Sequence, residues 1–422
     1  MPNYRFASLQ DGINNVGRED QIPSTSVRKA QNVDLLVAGN TAKVRRRKGY
    51  QQKYAGTNMH SAYATANFFL AVDGGSLKRW VDFDVAPLTI AAASGELSYV
   101  DINNQIIWSD GAQIAKVDGA GEPRRFGVVA PTGQPSVSAV EDGGLFAGHY
   151  QVAVTHLTST GEESGTPRAA GVTVDEGEGI RLTNIPQPVD DEDKIAVYVS
   201  QANGETLYQR TTLPYGTTTH DLGYSAKRRA LRTMFLDRMP ASAHLAFYNG
   251  VLFAAVDETV AYSQPLAFAA YHTTQNFLLH DTPVNMLRAG DKGIFVGTES
   301  GVTFYQGNRP EDFAPTTVSP PAIPGASLEV DGGFILPALQ GSTVVIWWTV
   351  DGVMMLGLPD GQIEPVRDTE FRIPNAERGA LASVTREGVK QVVSVMKNPG
   401  TGSSMAFQDS IDIEVHRHGV TL

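Results

Sequence analysis

An all-β chain is predicted: a β-propeller of about six blades, interrupted by one separate β-sandwich. Three observations predict it. β-rich runs recur as pairs joined by Gly-containing turns along most of the 422 residues. Helical periodicity is scarce. The hairpin rhythm breaks once, between residues 131 and 225, and then resumes.

The hairpins come in order. The first joins Asn67–Val72 to Leu77–Trp80 through Asp73-Gly74-Gly75. The second runs through Leu97–Val100, Gln105–Trp108 and Ile114–Val117, with turns at Asn103-Asn104 and Asp110-Gly111. The third pairs Leu245–Tyr248 with Val251–Ala255 across Asn249-Gly250, the residue pair a type I′ turn demands because both central residues need positive φ. The fourth uses Val284–Leu287, Ile294–Gly297 and Val302–Tyr305. The fifth uses Gly333–Leu336, Val344–Trp348 and Val353–Leu356. The sixth uses Leu381–Val384, Gln391–Met396 and Ile411–Val415. A unit of three or four antiparallel strands cannot bury both faces alone, and radial stacking solves that. Short helices are expected around Ser26–Asn32 and Ala226–Met234, neither long enough to build a core.

The interrupting stretch opens after Ala130-Pro131-Thr132-Gly133-Gln134-Pro135, which reads as a linker. About seven short strands follow, including the alternating Gly148–Thr155 and the runs at 171–174, 180–182, 195–200 and 207–210. That pattern suits an immunoglobulin or fibronectin type III-like sandwich. The expected organisation is therefore 1–130, N-terminal segment and first part of the propeller; 131–225, the insertion; and 226–422, the second part of the propeller.

Composition narrows the function classes. Hydrophobic content of 41% supports a full core. With no cysteine, disulfides, Cys-zinc sites and thiol nucleophiles are excluded. No run of about 18 apolar residues occurs, so no membrane segment is expected, and Met1–Arg5 lacks the apolar core of a signal peptide. The net charge of −11 is uneven: residues 131–225 carry 13 acids and 4 bases. A basic nucleic-acid footprint is absent overall.

Local constellations are few. Asp190-Asp191-Glu192-Asp193 supplies oxygen donors that calcium could use, but it lacks a calcium-loop spacing and follows Pro186 and Pro188, so it reads as a solvated inter-strand loop. His416 and His418 share one strand face without visible co-ligands. Ser109-Asp110-Gly111 has part of a sialidase Asp-box, but Ala112-Gln113-Ile114 follows in place of the box's Gly-x-Thr-Trp and no second copy appears, so it reads as a hairpin turn. No nucleophile elbow, P-loop or His-Glu-x-x-His is present, so no enzyme, cofactor or metal site is expected. The one concentrated positive feature is Lys43, Arg45, Arg46, Arg47 and Lys48, alternating on a strand after a turn. It reads either as a contact to phosphates or an acidic protein surface, or as a charged edge strand that blocks misassembly.

The first sixty residues carry a resemblance. Gly12-Ile13-Asn14-Asn15-Val16, then Ala30-Gln31-Asn32-Val33-Asp34, then Arg45-Arg46-Arg47-Lys48-Gly49-Tyr50 resemble the opening of tail and virion structural proteins of double-stranded DNA bacteriophages. There, such segments precede a β-propeller, and fibronectin-like modules are common. The resemblance implies a tail hub or nozzle protein in the virion, made in the host cytoplasm. It implies a homo-oligomeric ring, expected to be a hexamer, around the DNA-ejection channel. Partners would be other tail or portal-adaptor proteins, tail fibres through 131–225, and DNA passing without sequence recognition. The competing expectation is a carbohydrate-binding or glycoside-hydrolysing propeller with an accessory sandwich.

Overall fold

The computed structural model describes residues 12–18, 20–28, 33–38, 41–46, 52–93, 95–366, 371–373, 376–386, 389–397 and 413–416, with backbone alone for 33–38, 41–46, 386, 389 and 413–416. The described residues are strands, turns and three short 3₁₀ turns, with no α-helix among them.

Five four-stranded antiparallel sheets and one of three described strands form the blades of a β-propeller. Blade 1 holds His60–Ala64, Phe69–Asp73, Ser76–Trp80 and Leu88–Ala92. Blade 2 holds Ser98–Ile102, Gln105–Ser109, Ile114–Val117 and Pro123–Arg124. Blade 3 holds His244–Tyr248, Val251–Val256, Thr259–Tyr262 and Phe277–Leu279. Blade 4 begins with Met286–Gly290 and Gly293–Thr298, blade 5 with Ala322–Asp331 and Thr343–Thr349, and blade 6 with Arg378–Arg386 and Val389–Lys397. From blade 2 to blade 6, the first strand of each blade lies against the first strand of the next. Blade 1 joins blade 2 through Tyr99, whose ring stacks on Tyr63 at 5.0 Å. The first strands thus form the inner wall of a ring.

The second strand of a blade is buried on both faces, and its sequence shows why. In Thr343–Thr349, Val345 and Trp347 pack with Phe295 and Phe304 of blade 4. The alternate residues Val344, Ile346 and Trp348 pack with Val392 and Met396 of blade 6. In Val251–Val256, Val251, Phe253 and Ala255 face blade 4, while Leu252 and Ala254 face blade 2. Period-two alternation with apolar residues in both phases yields the unbroken apolar runs seen in the sequence. All four tryptophans are buried at 1% exposure or less. Trp108 packs with blade 1 side chains, and the indoles of Trp347 and Trp348 donate to Ser319 Oγ at 3.2 Å and Ser394 Oγ at 2.9 Å.

The ring is stapled near the chain's start. Asn15 Nδ2 donates to Arg372 O at 2.8 Å and Asn15 Oδ1 accepts from Arg372 N at 3.0 Å. Asn14 Oδ1 caps Gly17 N at 2.9 Å. The Asn-Asn pair is thus a structural joint. At the rim, Arg378 of blade 6 pairs with Glu96, just before blade 2, at 2.9 Å.

Between the outer strand of blade 2 and the inner strand of blade 3 stands a two-sheet module. One sheet orders Ser136–Val140, Gly179–Thr183 and His220–Leu222. The other orders Ala170–Val174, Gly148–Leu157, Lys194–Val199 and Tyr208–Pro214. Between them lies a separate core that includes Tyr150, Val152, Val154, Ile180, Leu182, Ile195 and Val197.

Three local expectations are overturned. Ser26–Val27 is a short strand parallel to Gly12–Ile13, not a helix start; residues 29–32 lie outside the described residues. Residues 226–234 are extended, because the amides of Gln209, Arg228 and Leu231 exchange antiparallel backbone bonds along the Tyr208–Pro214 edge. The inner strand of blade 5 is Ala322–Asp331, and Gly332–Phe334 is a 3₁₀ turn. Asp331 makes that turn, accepting from Gly333 N at 2.8 Å and Gly341 N at 2.9 Å. The Asn249-Gly250 turn is as expected, with φ of 45° and 80°.

The blade 5–6 interface gives a direct test. Trp348→Ala is expected to lower unfolding free energy by about 3–5 kcal/mol through the cavity it leaves. Ser394→Ala, which orphans the indole N–H, is expected to cost about 1–3 kcal/mol. Urea unfolding midpoints measure both.

Candidate functional site

The basic run lies on an isolated ribbon. Lys43, Arg45 and Arg46 stand on the strand Thr41–Arg46, paired only with Val33–Ala38 and belonging to no blade among the described residues. By register Lys43 is opposite Leu36, Arg45 opposite Asp34 and Arg46 opposite Val33. Arg47 and Lys48 lie outside the described residues, as does His418; His416 is on the last described strand.

The acidic run has an unforeseen partner. Arg125, in the linker leaving blade 2, reaches Asp190 Oδ2 at 2.7 Å and Asp193 Oδ2 at 2.9 Å. Asp193 is buried. These carboxylates raise the Arg125 pKa, Asp193 first among them. Two of the four acids therefore fasten the sandwich to the propeller. Nothing in the local sequence pairs them with a residue more than sixty positions earlier. Asp110, in turn, closes its hairpin by accepting from Ala112 N at 2.9 Å and Gln113 N at 2.8 Å.

The fastening continues around the junction. Gln134 Nε2 donates to Thr166 Oγ1 at 2.8 Å, and Gln134 Oε1 accepts from Val154 N at 3.0 Å. On the return linker, Phe235 N donates to Thr166 O at 2.9 Å. Glu163 accepts from Thr155 Oγ1 and Tyr198 OH, both at 2.6 Å, and pairs with Arg229 at 3.0 Å. Burial first, then the bond to Glu163, pushes the Tyr198 hydroxyl well above its ordinary pKa. Leu231 and Met234 cover Ala153, Ala196, Tyr198 and Leu207 on the sheet's outer face. Both linkers are thus locked to the module they join.

The second polar concentration is axial. Each inner strand is an edge strand, so its inward backbone groups need partners. Neighbouring blades supply them. Ser61 Oγ accepts from Leu97 N at 2.9 Å, and Tyr99 OH donates to Ser61 O at 2.8 Å. Ser98 Oγ accepts from Leu245 N at 2.9 Å. Glu329 Oε1 accepts from Ala289 N at 2.9 Å. Arg288 donates through Nε to Ser327 Oγ at 3.0 Å and through Nη2 to Ser327 O at 3.1 Å. Ser61 is aimed by a register slip between His60 and Tyr63, where its φ is +53°.

The electrostatics fit a narrow shaft. Glu329 is open to water yet hemmed in by protein, and desolvation pushes its pKa up against the opposing pull of Arg288 and the Ala289 N–H. It faces a cavity of about 340 Å³ that Tyr248, Asn249, Asp291 and Thr343 also line. Burial, aided by the Arg288 charge, drives His244 down to about 4. Tyr63 is raised by burial and by the Asp101 and Glu329 carboxylates. Most of these groups were absent from the sequence-based expectations, because their shared location follows only from ring closure. Among the described residues no three His or acidic groups stand close enough to hold a metal ion.

No family model matches this chain, and no curated protein matches it. Several solved structures align over most of its length. The BBS1N structure in complex with ARL6DN aligns at 11% identity, covering 87% of this chain and 95% of that one, with a TM-score of 0.35. The Neurospora crassa Pan2 WD40 domain aligns at 12% identity, covering 81% and 87%, with a TM-score of 0.31. Citrobacter koseri AztD aligns at 8% identity, covering 90% and 93%, with a TM-score of 0.34. At such scores they carry nothing about function.

Two outcomes are expected. Arg125→Ala leaves Asp193 buried without its counter-charge and should cost roughly 3 kcal/mol, with faster limited proteolysis between residues 125 and 135. His244 binds protons less readily folded than unfolded, so stability should fall as pH drops from about 6.5 toward 4. Urea midpoints across that window should show a shallower slope in His244→Gln.

Proposed function

We propose that this chain is a structural protein of a bacteriophage tail, a hub or nozzle component that assembles as a ring around the DNA-ejection channel. The observation that carries the reading is the fastening of the sandwich at both linkers through Arg125, Gln134, Thr166 and Glu163. A propeller and sandwich joined this way act as one rigid block, and rings require blocks that keep their shape. The N-terminal segments that resemble tail proteins add support, and their Asn15 has a structural task. The axial polar groups are largely spent on satisfying strand edges, which favours architecture over catalysis. Outside the sandwich the charge balance is near neutral, which suits a wall along which DNA slides, since phosphates find few holding sites.

One observation favours a carbohydrate-active alternative: the Asp101 and Glu329 carboxylates both act on Tyr63 in the shaft. A glycosidase needs two carboxyl groups across a bond.

Negative-stain micrographs of the purified protein and mass spectrometry of purified particles test both readings. Rings and presence in the tail are expected. A monomer absent from particles overturns the tail reading, and glycoside hydrolysis lost in Glu329→Gln would establish the alternative.

A further inference from the structure

A cleft opens where the two linkers of the sandwich pass blade 3. Its volume is about 550 Å³, inside the roughly 300–1,000 Å³ of small-molecule sites, which favour domain junctions. Pro131 of the outgoing linker and Thr166 of the sandwich line it, both buried. The returning linker supplies Phe235 and Asp237. The loop within blade 3 supplies His272, Thr273 and Gln275.

The walls are fixed by backbone. Phe235 N donates to Thr166 O at 2.9 Å, and Leu236 N donates to Thr233 O at 3.2 Å. A Cβ on Gly165 would lie 1.6 Å from Leu236 O, so these two segments touch through a glycine. On the blade 3 side, Gln275 N and Asn276 N both donate to His272 O, at 3.1 and 2.9 Å. Phe235 shows the result. Its φ is +62°, a conformation that bulky residues avoid. Yet the residue stays 48% exposed, with its ring 6.3 Å from the His272 ring and tilted by 55°. A strained backbone that holds an apolar ring out to water gains little packing, and such outliers cluster at ligand sites.

The polar groups here are unspent, unlike those of the shaft. His272 Nδ1 meets Thr274 Oγ1 at 3.1 Å, and Asp237 Oδ1 accepts from Arg238 N at 2.7 Å. Among the described residues, no bond engages His272 Nε2, Asp237 Oδ2, the Thr273 hydroxyl or the Gln275 side-chain amide. None of the described lining residues is Lys or Arg, so nothing there pairs with a phosphate, sulfate or carboxylate. Asp237 is the single acid among them, one short of the pair that glycoside hydrolysis uses. What remains is an aromatic face ringed by neutral donors and acceptors. The π face is negative and attracts the weakly positive C–H hydrogens of a sugar ring. Hydroxyl groups both donate and accept, so they match the mixed rim.

We propose that this cleft binds a short neutral saccharide without cleaving it. Phe235 is the platform, and Asp237, His272 and Gln275 bond the hydroxyls. The site lies outside the shaft and stands whether or not the chain forms a ring.

A glycan array carrying neutral, sialylated and sulfated oligosaccharides tests it with the full-length protein. Retention of neutral glycans is expected, and the best of them then serves for titration calorimetry. Phe235→Gly removes the platform and keeps the backbone, since glycine accepts positive φ. Asp237→Asn keeps the shape and removes the charge. Each should weaken binding roughly tenfold. Phe235→Tyr should retain it, which separates loss of the ring from loss of the fold. Phe146→Ala, which removes an aromatic 64% exposed elsewhere on the sandwich, should change nothing. An array that retains no neutral glycan overturns the proposal. So does a preference for the anionic glycans, or affinity for a neutral one that neither Phe235→Gly nor Asp237→Asn lowers. The titrated glycan should be recovered intact, and hydrolysis abolished by Asp237→Asn would overturn binding without cleavage.

Discussion

The structure depends on one constraint: the innermost strand of every blade has a free edge, and those edges face one another around an axis. A free edge in a narrow interior leaves amides and carbonyls without water in quantity. The chain answers with side chains from adjacent blades, Ser61 to Leu97, Ser98 to Leu245, Glu329 to Ala289, and Arg288 back to Ser327. Each such bond links two blades as well as satisfying an edge. Polarity at the axis is thus part of what holds the ring, and the shifted Glu329 and His244 are its electrostatic cost.

Around that axis, apolar wedges do the packing. Second strands present large side chains in both phases, so each blade belongs to two cores at once. The insertion respects this arrangement. It leaves from the outer strand of blade 2 and returns to the inner strand of blade 3, a crossover that already spans a blade's width. A module placed there breaks no inter-blade core, and Arg125 with the return segment 228–231 holds it against the ring.

Much of the fold was legible because strand pairs and turns are local. Asn249-Gly250, Asp110-Gly111 and the run Val344–Trp348 identify their hairpins on inspection. The misreadings share a cause. Residues 226–234 have helix-compatible spacing, but their conformation is set by an edge more than fifteen residues earlier in sequence. Gly333–Leu336 looks like a strand until Asp331 caps the glycines into a turn. The axial cluster was not legible at all: Tyr63, Asp101, His244, Arg288 and Glu329 come from five blades, and none stands out among its sequence neighbours. The aspartates at 190 and 193 looked solvated because Arg125 is remote.

The Asn15 staple has a consequence for synthesis. Its two bonds span 357 residues, so they cannot form until the backbone at Arg372 has left the ribosome. At about 5–20 residues per second, that leaves the N-terminal segment waiting for roughly 20–70 s. During the same interval each finished blade holds one apolar face bare until the next one arrives. A nascent chain in that condition is a natural client for a holding chaperone, and neighbouring nascent chains on one message could exchange blades. The joint that fastens the start of the chain is therefore also a late checkpoint, made only by chains that have come nearly full circle.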